Sequence, residues 1–464
     1  MSATVKSLLA AARTPLTLVP AAGSGAAATP RARRPVRSVD LAGWLAFADG
    51  LHAQTIDMGL DRVVAVRDAL ALKPAFPVIT VAGTNGKGST CAMLEAMLAE
   101  AGYRVGVYTS PHLVRYNERV RIAGAPASDA LLSAGFAQVD GARGDIPLTP
   151  FEFGTLAAMC VFTEADLDVA VLEVGLGGRL DAVNAFDADC SIVTSIGIDH
   201  VDYLGPTREL IGREKAGVFR AQRPAVCADP DPPVTIAQEA LRVGARLLQS
   251  GRDYRIARHA AHWTLTRPGR EWRDLPRPAL AGAVQIDNAA ACLMALDALS
   301  ARLPVSEAEC RLGLQQVRLA ARFQRWRPAA DGPEVVLDVA HNPHAAERLA
   351  ATLADGPPRG RTLAVFAMLR DKDIPGTARA LEGRVDAWFV AGLAEKRGST
   401  AAEMAAALDA ARVPVGVRLC ATPLDAWHQA LAAAGADDRV LVFGSFATVG
   451  AVLRELEAGG ARPA

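Results

Sequence analysis

Residues 78–90 read Val-Ile-Thr-Val-Ala-Gly-Thr-Asn-Gly-Lys-Gly-Ser-Thr. Val78 to Val81 are β-branched, the composition of a parallel strand buried on both faces. Gly83, Gly86 and Gly88 then permit a tight turn and a close backbone approach to a ligand. Cys91 to Leu98 continue with helical character. A strand, a Gly-Lys loop and a helix start in this order confine the chain to an α/β architecture. Together they describe a phosphate cradle: free N–H groups at the helix start face an anion, and Lys87 adds a fixed positive charge.

The spacing is not that of the standard phosphate loop, in which four residues separate the first Gly from the Gly-Lys pair. Here only Thr84 and Asn85 intervene, and Gly88 separates Lys87 from Ser89. A merely structural turn is the competing reading, but packing gives no reason for a lysine between glycines behind a buried strand. Ser89, with Thr90 as the alternative, offers a hydroxyl to Mg²⁺, a cation that prefers oxygen ligands.

A chain of 464 residues has room for two or three domains. Lys+Arg and Asp+Glu are equal at 50 each, so net charge makes no case for nucleic acid or membrane surfaces as partners. No apolar run reaches the length of a membrane span. The seven cysteines, at 91, 160, 190, 227, 292, 310 and 420, form no CxxC pair, which fits free thiols in a reducing cytoplasm. Residues 1–39 contain no Asp or Glu and carry Arg31, Arg33, Arg34 and Arg37. They read as a disordered basic extension, with a transit-like presequence or an interaction arm as alternatives.

Further along, 40–73 read as helical and Arg104 to Tyr108 as a second strand, with Thr109–Leu113 looping from its end. In open α/β sheets ligands gather at that end of the strands. Tyr116–Ile122, with Asn117, Glu118, Arg119 and Arg121, reads as a solvated charged segment or as substrate-binding. Phe151 and Phe153 enter a helix over 150–164, placed either to stack on a flat ligand or to fill core. The strand Asp168–Val174 carries Glu173 at its end, before Gly175–Asp181, a good position for an Mg²⁺ ligand. Ser191–Ile198 is another strand, closed by Asp199 and His200; its position makes His200 a site residue. Lys215, on a helix over 207–220, reads by spacing alone as a solvated charge.

Residues 222–275 are mixed, with strands expected at Arg252–Ala257 and His262–Thr266. Gln285, Asp287 and Asn288 open a helix over 284–300, where polar residues are usually caps. A hinge is expected in 303–333, where Pro328, Gly332 and Pro333 break structure. A second α/β series follows, with strands at Glu334–Val339, Arg361–Ala367, Val385–Val390 and Arg439–Phe443. No GxGxxG follows its first strand, so no dinucleotide site is indicated.

These motifs, in order, resemble the folylpolyglutamate synthase/dihydrofolate synthase family in its bifunctional bacterial form, which belongs with the Mur-type ligases. The matching runs include Ala82–Thr90, Ser110–Val120, Phe151–Thr155, Leu172–Asn184, Thr194–His200, Gly205–Phe219, Asn288–Ala290, Arg322–Gln324, Asp338–Ala346, Met368–Gly376 and Gly444–Val449. The resemblance implies an ATP-binding domain with a mostly parallel sheet over 40–320 and a smaller Rossmann-like α/β domain over 325–464. It implies an ATP-dependent ligase that phosphorylates the carboxylate of dihydropteroate or a reduced folate and then joins L-glutamate to it. Residues Gly83, Thr84, Asn85, Gly86, Lys87, Gly88, Ser89 and Thr90 would hold the phosphates, with Asn288, Arg322, Asp338 and His341 also on the nucleotide. Ser89, Glu173 and His200 would ligate Mg²⁺. Lys215 matches a lysine carbamylated by CO₂, which overturns its bland reading and supports a second Mg²⁺. Lys87, Lys215 and His200 would be the catalytic set. Phe151, Glu152, Phe153 and Gly154, with Gly178, Arg179 and Asp181, would face the pterin, and Ser445 with His341 the glutamate.

The family also implies a cytoplasmic monomer, and a monovalent cation as a further cofactor. One departure stands out: Val284 precedes Gln285 where the family often has His, which implies altered nucleotide-side contacts. A Mur-type amino-acid ligase and a monofunctional folylpolyglutamate synthase are the neighbouring readings. A GTPase switch is disfavoured, because none of Asn85, Asn117, Asn184, Asn288 or Asn342 is followed by Lys.

Overall fold

The computed structural model describes residues 39–461 and 463, apart from 330, 414 and 415. The expected basic extension lies, up to residue 38, outside the described residues. Among the described residues, three sheets carry the fold. The first contains β1 (Val78–Ala82), β2 (Val105–Tyr108), β3 (Val120–Ile122), β4 (Ala125–Pro126), β5 (Val169–Glu173), β6 (Cys190–Val193), β7 (Pro224–Cys227) and β8 (Arg246–Gln249). Its spatial order is β4-β3-β2-β5-β1-β6-β7-β8. All pairs are parallel except β2 with β3 and β3 with β4.

The strand preceding the Gly-Lys loop therefore lies in the middle, between β5 and β6. Side chains alternate across it: Val78 and Ala82 join one core and Ile79 and Val81 the other. Burial on both faces is what the β-branched run of β1 anticipates. Its C-terminal end opens between the ends of β5 and β6, so Glu173 and the Thr194–His200 segment arrive beside the loop.

Tyr116–Ile122 is neither simply solvated nor simply ligand-facing. It forms a short helical turn, Tyr116–Arg119, and then β3, which extends the sheet edge. The mixed region holds β7, β8, the helix Val234–Val243 and a three-stranded antiparallel sheet, β9 (Arg255–Arg258), β10 (His262–Arg267) and β11 (Arg270–Pro276). Sequence reading found β9 and β10 but missed β7, β8 and β11, which are short or polar. Trp263, Leu265, Trp272 and Leu275 pin the small sheet to the second core.

The last sheet orders as β12-β13-β17-β14-β15-β16, with β12 (Gln324–Trp326), β13 (Glu334–Leu337), β14 (Thr362–Phe366), β15 (Ala387–Ala391), β16 (Val417–Cys420) and β17 (Arg439–Phe443). Only β12 runs antiparallel. Because β12 already pairs with β13, the chain enters this sheet before Pro328, Gly332 and Pro333. The crossing falls between the helix ending at Gln316 and β12, and the Pro-Gly cluster turns the β12–β13 hairpin.

Candidate active site

A cleft of about 780 Å³ runs between the carboxyl ends of β1, β5 and β6 and the second large sheet. Its floor is the Gly83–Ser89 loop. Gly83 and Gly86 have positive φ, at 151° and 89°. A Cβ on Gly83 would lie 1.8 Å from Thr194 Oγ1, and one on Gly86 would lie 2.7 Å from Asn288 Oδ1. Both positions therefore demand glycine for conformation and for space. Gly86 starts the helix Lys87–Glu100 without a side-chain cap, so the first-turn N–H groups remain open to a ligand. Lys87 Nζ donates to the Gly83 and Thr84 carbonyls at 3.1 and 3.3 Å, which holds the cation over its own loop.

Glu173 stands beside it, 5% exposed, and accepts from the Ser110 N–H at 3.2 Å. Burial pushes its carboxyl above the ordinary value, against the pull of Lys87, the Ser110 amide and Arg322. A buried carboxylate in that condition suits a bound cation. Ser89 also lines the cleft, whereas the Thr90 hydroxyl is buried outside it with no partner. The oxygen donors Ser89 and Glu173 thus fit Mg²⁺, although no three His, Cys, Asp or Glu side chains converge among the described residues. Lys215 is 3% exposed and lines the same cleft. Burial, with Lys87 nearby, lowers its pKa to about 7. A substantial fraction is then neutral amine near pH 7, the form that reacts with CO₂.

His200 begins a short helix in the left-handed conformation, φ 52°. Burial and Lys372 lower its pKa to about 4, so the ring is neutral. Its Nε2 accepts from Lys372 Nζ at 3.1 Å, and Lys372 also pairs with Asp199 at 2.6 Å. Although burial works the other way, Lys372, His200 and His341 hold the Asp199 carboxyl well below its usual range.

From the second sheet come Arg322, Asp338 and His341. Asp338 accepts the Phe323 and Ala340 N–H groups, both at 2.8 Å. The Arg322 guanidinium lies 5.5 Å from the Phe446 ring centroid. Burial and Lys372 also lower His341 to about 4. Asn342, which caps the helix Pro343–Ala354, exchanges two 3.1 Å hydrogen bonds with Asn85 and donates to Asp199 at 3.0 Å. Asn85 also meets His344 at 3.1 Å. The phosphate loop is thereby tied side chain to side chain to the second α/β series.

None of the residues expected to face a pterin lines this cleft. Phe153 is fully buried and stacks on Phe136, with Trp44 and Phe47 around it. Glu152 completes a capping box with Thr149 and pairs with Arg62, Gly154 faces the Tyr116 hydroxyl, and Phe151 closes over Gly175. Gly178 abuts the Glu214 and Lys215 carbonyls, Arg179 pairs with Glu214, and Asp181 accepts from Leu176 and Val183. Ser445 caps the helix Phe446–Ala458 through Thr448. Gly175, Leu176 and Gly177, just before the Gly178–Asp181 stretch, line the cleft instead. Asp199, Asn342, His344 and Lys372 escaped sequence reading as site residues. The runs Asp199-His200, His341-Asn342-Pro343 and Asp371-Lys372-Asp373 were the available signal.

Family comparison agrees with this geometry. The Mur ligase middle domain matches residues 81–296, and the Mur ligase, glutamate ligase domain matches 321–446. The dihydrofolate synthase/folylpolyglutamate synthase of Escherichia coli K12 is 47% identical over 92% of this chain and 98% of its own length. The chain belongs to the dihydrofolate synthase/folylpolyglutamate synthase family. A Haemophilus influenzae member is 40% identical, over 88% of this chain and 96% of its own. Escherichia coli FolC in complex with DHPP and ADP superimposes with a TM-score of 0.86 at 47% identity, covering 92% of this chain and 99% of that one. A bifunctional family member with Mn, AMPPNP and L-glutamate bound gives 0.83 at 46% identity, over 91% and 99%.

Proposed function

We propose that this protein is an ATP-dependent ligase that adds L-glutamate to 7,8-dihydropteroate, giving dihydrofolate, and to reduced folates, giving polyglutamates. The observation that carries the reading is the single cleft in which Lys87 and Glu173 of the first sheet face Arg322, Asp338 and His341 of the second. The acceptor carboxylate attacks the γ-phosphorus of ATP, ADP leaves, and an acyl phosphate forms. The glutamate amine then attacks the acyl carbon, and inorganic phosphate leaves as the amide forms. A free carboxylate is a poor electrophile, which makes the first step necessary.

The protein positions two anions and neutralises their charge. The first-turn N–H groups and Lys87 hold the β- and γ-phosphates, Asn288 and Arg322 reach the nucleotide from the side, and Asp338 orients it through the second domain. Ser89, Glu173 and His200 would hold Mg²⁺. The ion supplies charge stabilisation on the transferring phosphoryl group. A carbamylated Lys215 would offer an anionic ligand to a second Mg²⁺. Glutamate enters between the domains, near His341 and Ser445. The domains divide as 40–320 and 325–464. The chain acts as a cytoplasmic monomer; its seven cysteines are free and buried, as in a reducing compartment, and no described helix is long and apolar enough to cross a membrane.

Product mass spectrometry tests the reading, with dihydropteroate and then tetrahydrofolate as acceptor, each with ATP and glutamate. Both additions are expected. One product alone would mark a monofunctional enzyme, and inactivity on both would sink the folate assignment.

A further inference from the structure

The segment 110–115 touches both halves of the cleft. At one end the Ser110 N–H donates to Glu173 Oε2 at 3.2 Å. At the other, Leu113 and Val114 pack against the core of the second large sheet. There the contact is backbone to backbone: a Cβ on Gly450, in the helix Phe446–Ala458, would lie 2.2 Å from the Leu113 carbonyl oxygen. The short run Ser110–Leu113 thus spans from Glu173 to the helix that carries Phe446, itself part of the cleft wall.

A segment this short, with neither helix nor ladder bonds, leaves its own N–H groups to be satisfied. One side chain does this. Glu118 Oε2 accepts from Leu113 N at 2.7 Å, and Oε1 accepts from Val114 N at 2.9 Å and Arg115 N at 2.6 Å. Charge-assisted bonds to consecutive amides fix the backbone more firmly than neutral ones. Arg119 adds a bond from Nε to His112 Nδ1 at 2.9 Å, and the Thr109 N–H meets the Arg119 carbonyl at 2.9 Å. Glu118 itself is half-buried and lies outside the cleft wall.

We propose that Glu118 is a positioning residue for ligation: it makes 110–115 a rigid strut that sets Glu173 against the second domain. The proposal rests on the ligase reading above. Glu118→Gln is a discriminating change. One amide oxygen can keep two of the N–H groups, but the –NH₂ then faces the third, donor against donor. Amide hydrogen exchange at 113–115 should accelerate in this variant. Its kcat should fall about 10-fold or more, with a several-fold rise in KM for glutamate, the scale expected for one unsatisfied donor. Metal-free pyrophosphate binding, which needs only the Gly83–Ser89 loop, should stay within about two-fold of wild type. Glu118→Ala should show the same division with larger effects. Wild-type kinetics in Glu118→Gln would overturn the proposal. So would a loss of pyrophosphate affinity parallel to the loss of ligation, since that marks general destabilisation. A wild-type chain that forms no glutamate product overturns the ligase reading as well; a wild-type chain that ligates beside an unaltered variant overturns the role of Glu118 alone.

Discussion

The Lys87 ammonium bonds to the carbonyls of its own loop, so its removal should spare the fold while stripping charge from the phosphates. Lys87→Ala should lower turnover by about 10²–10³-fold or more, the usual cost of one transition-state donor. Its unfolding midpoint should stay near wild type; turnover at the wild-type rate would exclude the assigned role. Lys215 makes a pH prediction. Its pKa lies near 7 in the folded chain against an ordinary 10.5, because the cation is buried. Between those values the unfolded chain holds a proton that the folded chain does not, so stability should rise with pH across the window. Urea unfolding of Lys215→Met should lose that slope. Lys215→Ala should also lose ligation, with partial rescue by small carboxylates; full activity without any additive would exclude an essential carbamate.

Among the elements, the helix Pro150–Glu164 shows how a ligand signature and a core signature can look alike. Phe153 sits in a ring cluster with Trp44, Phe47 and Phe136. Phe153→Ala should cost about 3–5 kcal/mol of stability, as large-to-small changes in cores do. Denaturant titration reads this, and ADP affinity should be unchanged in the folded fraction. The helix Pro343–Ala354 is different, because its cap reaches out of its own domain. Asn342 bonds to Asn85 and Asp199 while accepting from the Ala345 N–H. A double-mutant cycle of Asn85→Ala and Asn342→Ala, read by ADP affinity, should give a coupling of about 0.5–3 kcal/mol. Strict additivity would mean the two amides touch without communicating.

For the whole molecule, nucleotide contacts drawn from both large sheets predict joint stabilisation. At about 100 times its dissociation constant, ADP should add about 2.7 kcal/mol. Calorimetry should show one transition moving upward. Two transitions, with only one responding, would place all the nucleotide contacts on the first domain.

The strand β6 stops at Val193, short of the expected Ile198, so a loop places His200. The chain's local order was still enough to establish the α/β class, the central strand, the Gly-Lys loop and Glu173 at a strand end. Each depends on neighbours in sequence: a β-branched run, glycines with positive φ, a charge just beyond a strand. Sequence spacing could not separate Ser89 from Thr90, which differ in which side of one helix turn meets the cleft. Nor could it place Glu152, Phe153 and Asp181, whose burial depends on helices and loops packed from distant parts of the chain. The Asn85–Asn342 and Asp199–Lys372 contacts join residues 257 and 173 positions apart. Hydrogen bonds of that span exist only once two independently wound sheets face each other, and so the tertiary structure alone decided how the cleft is closed.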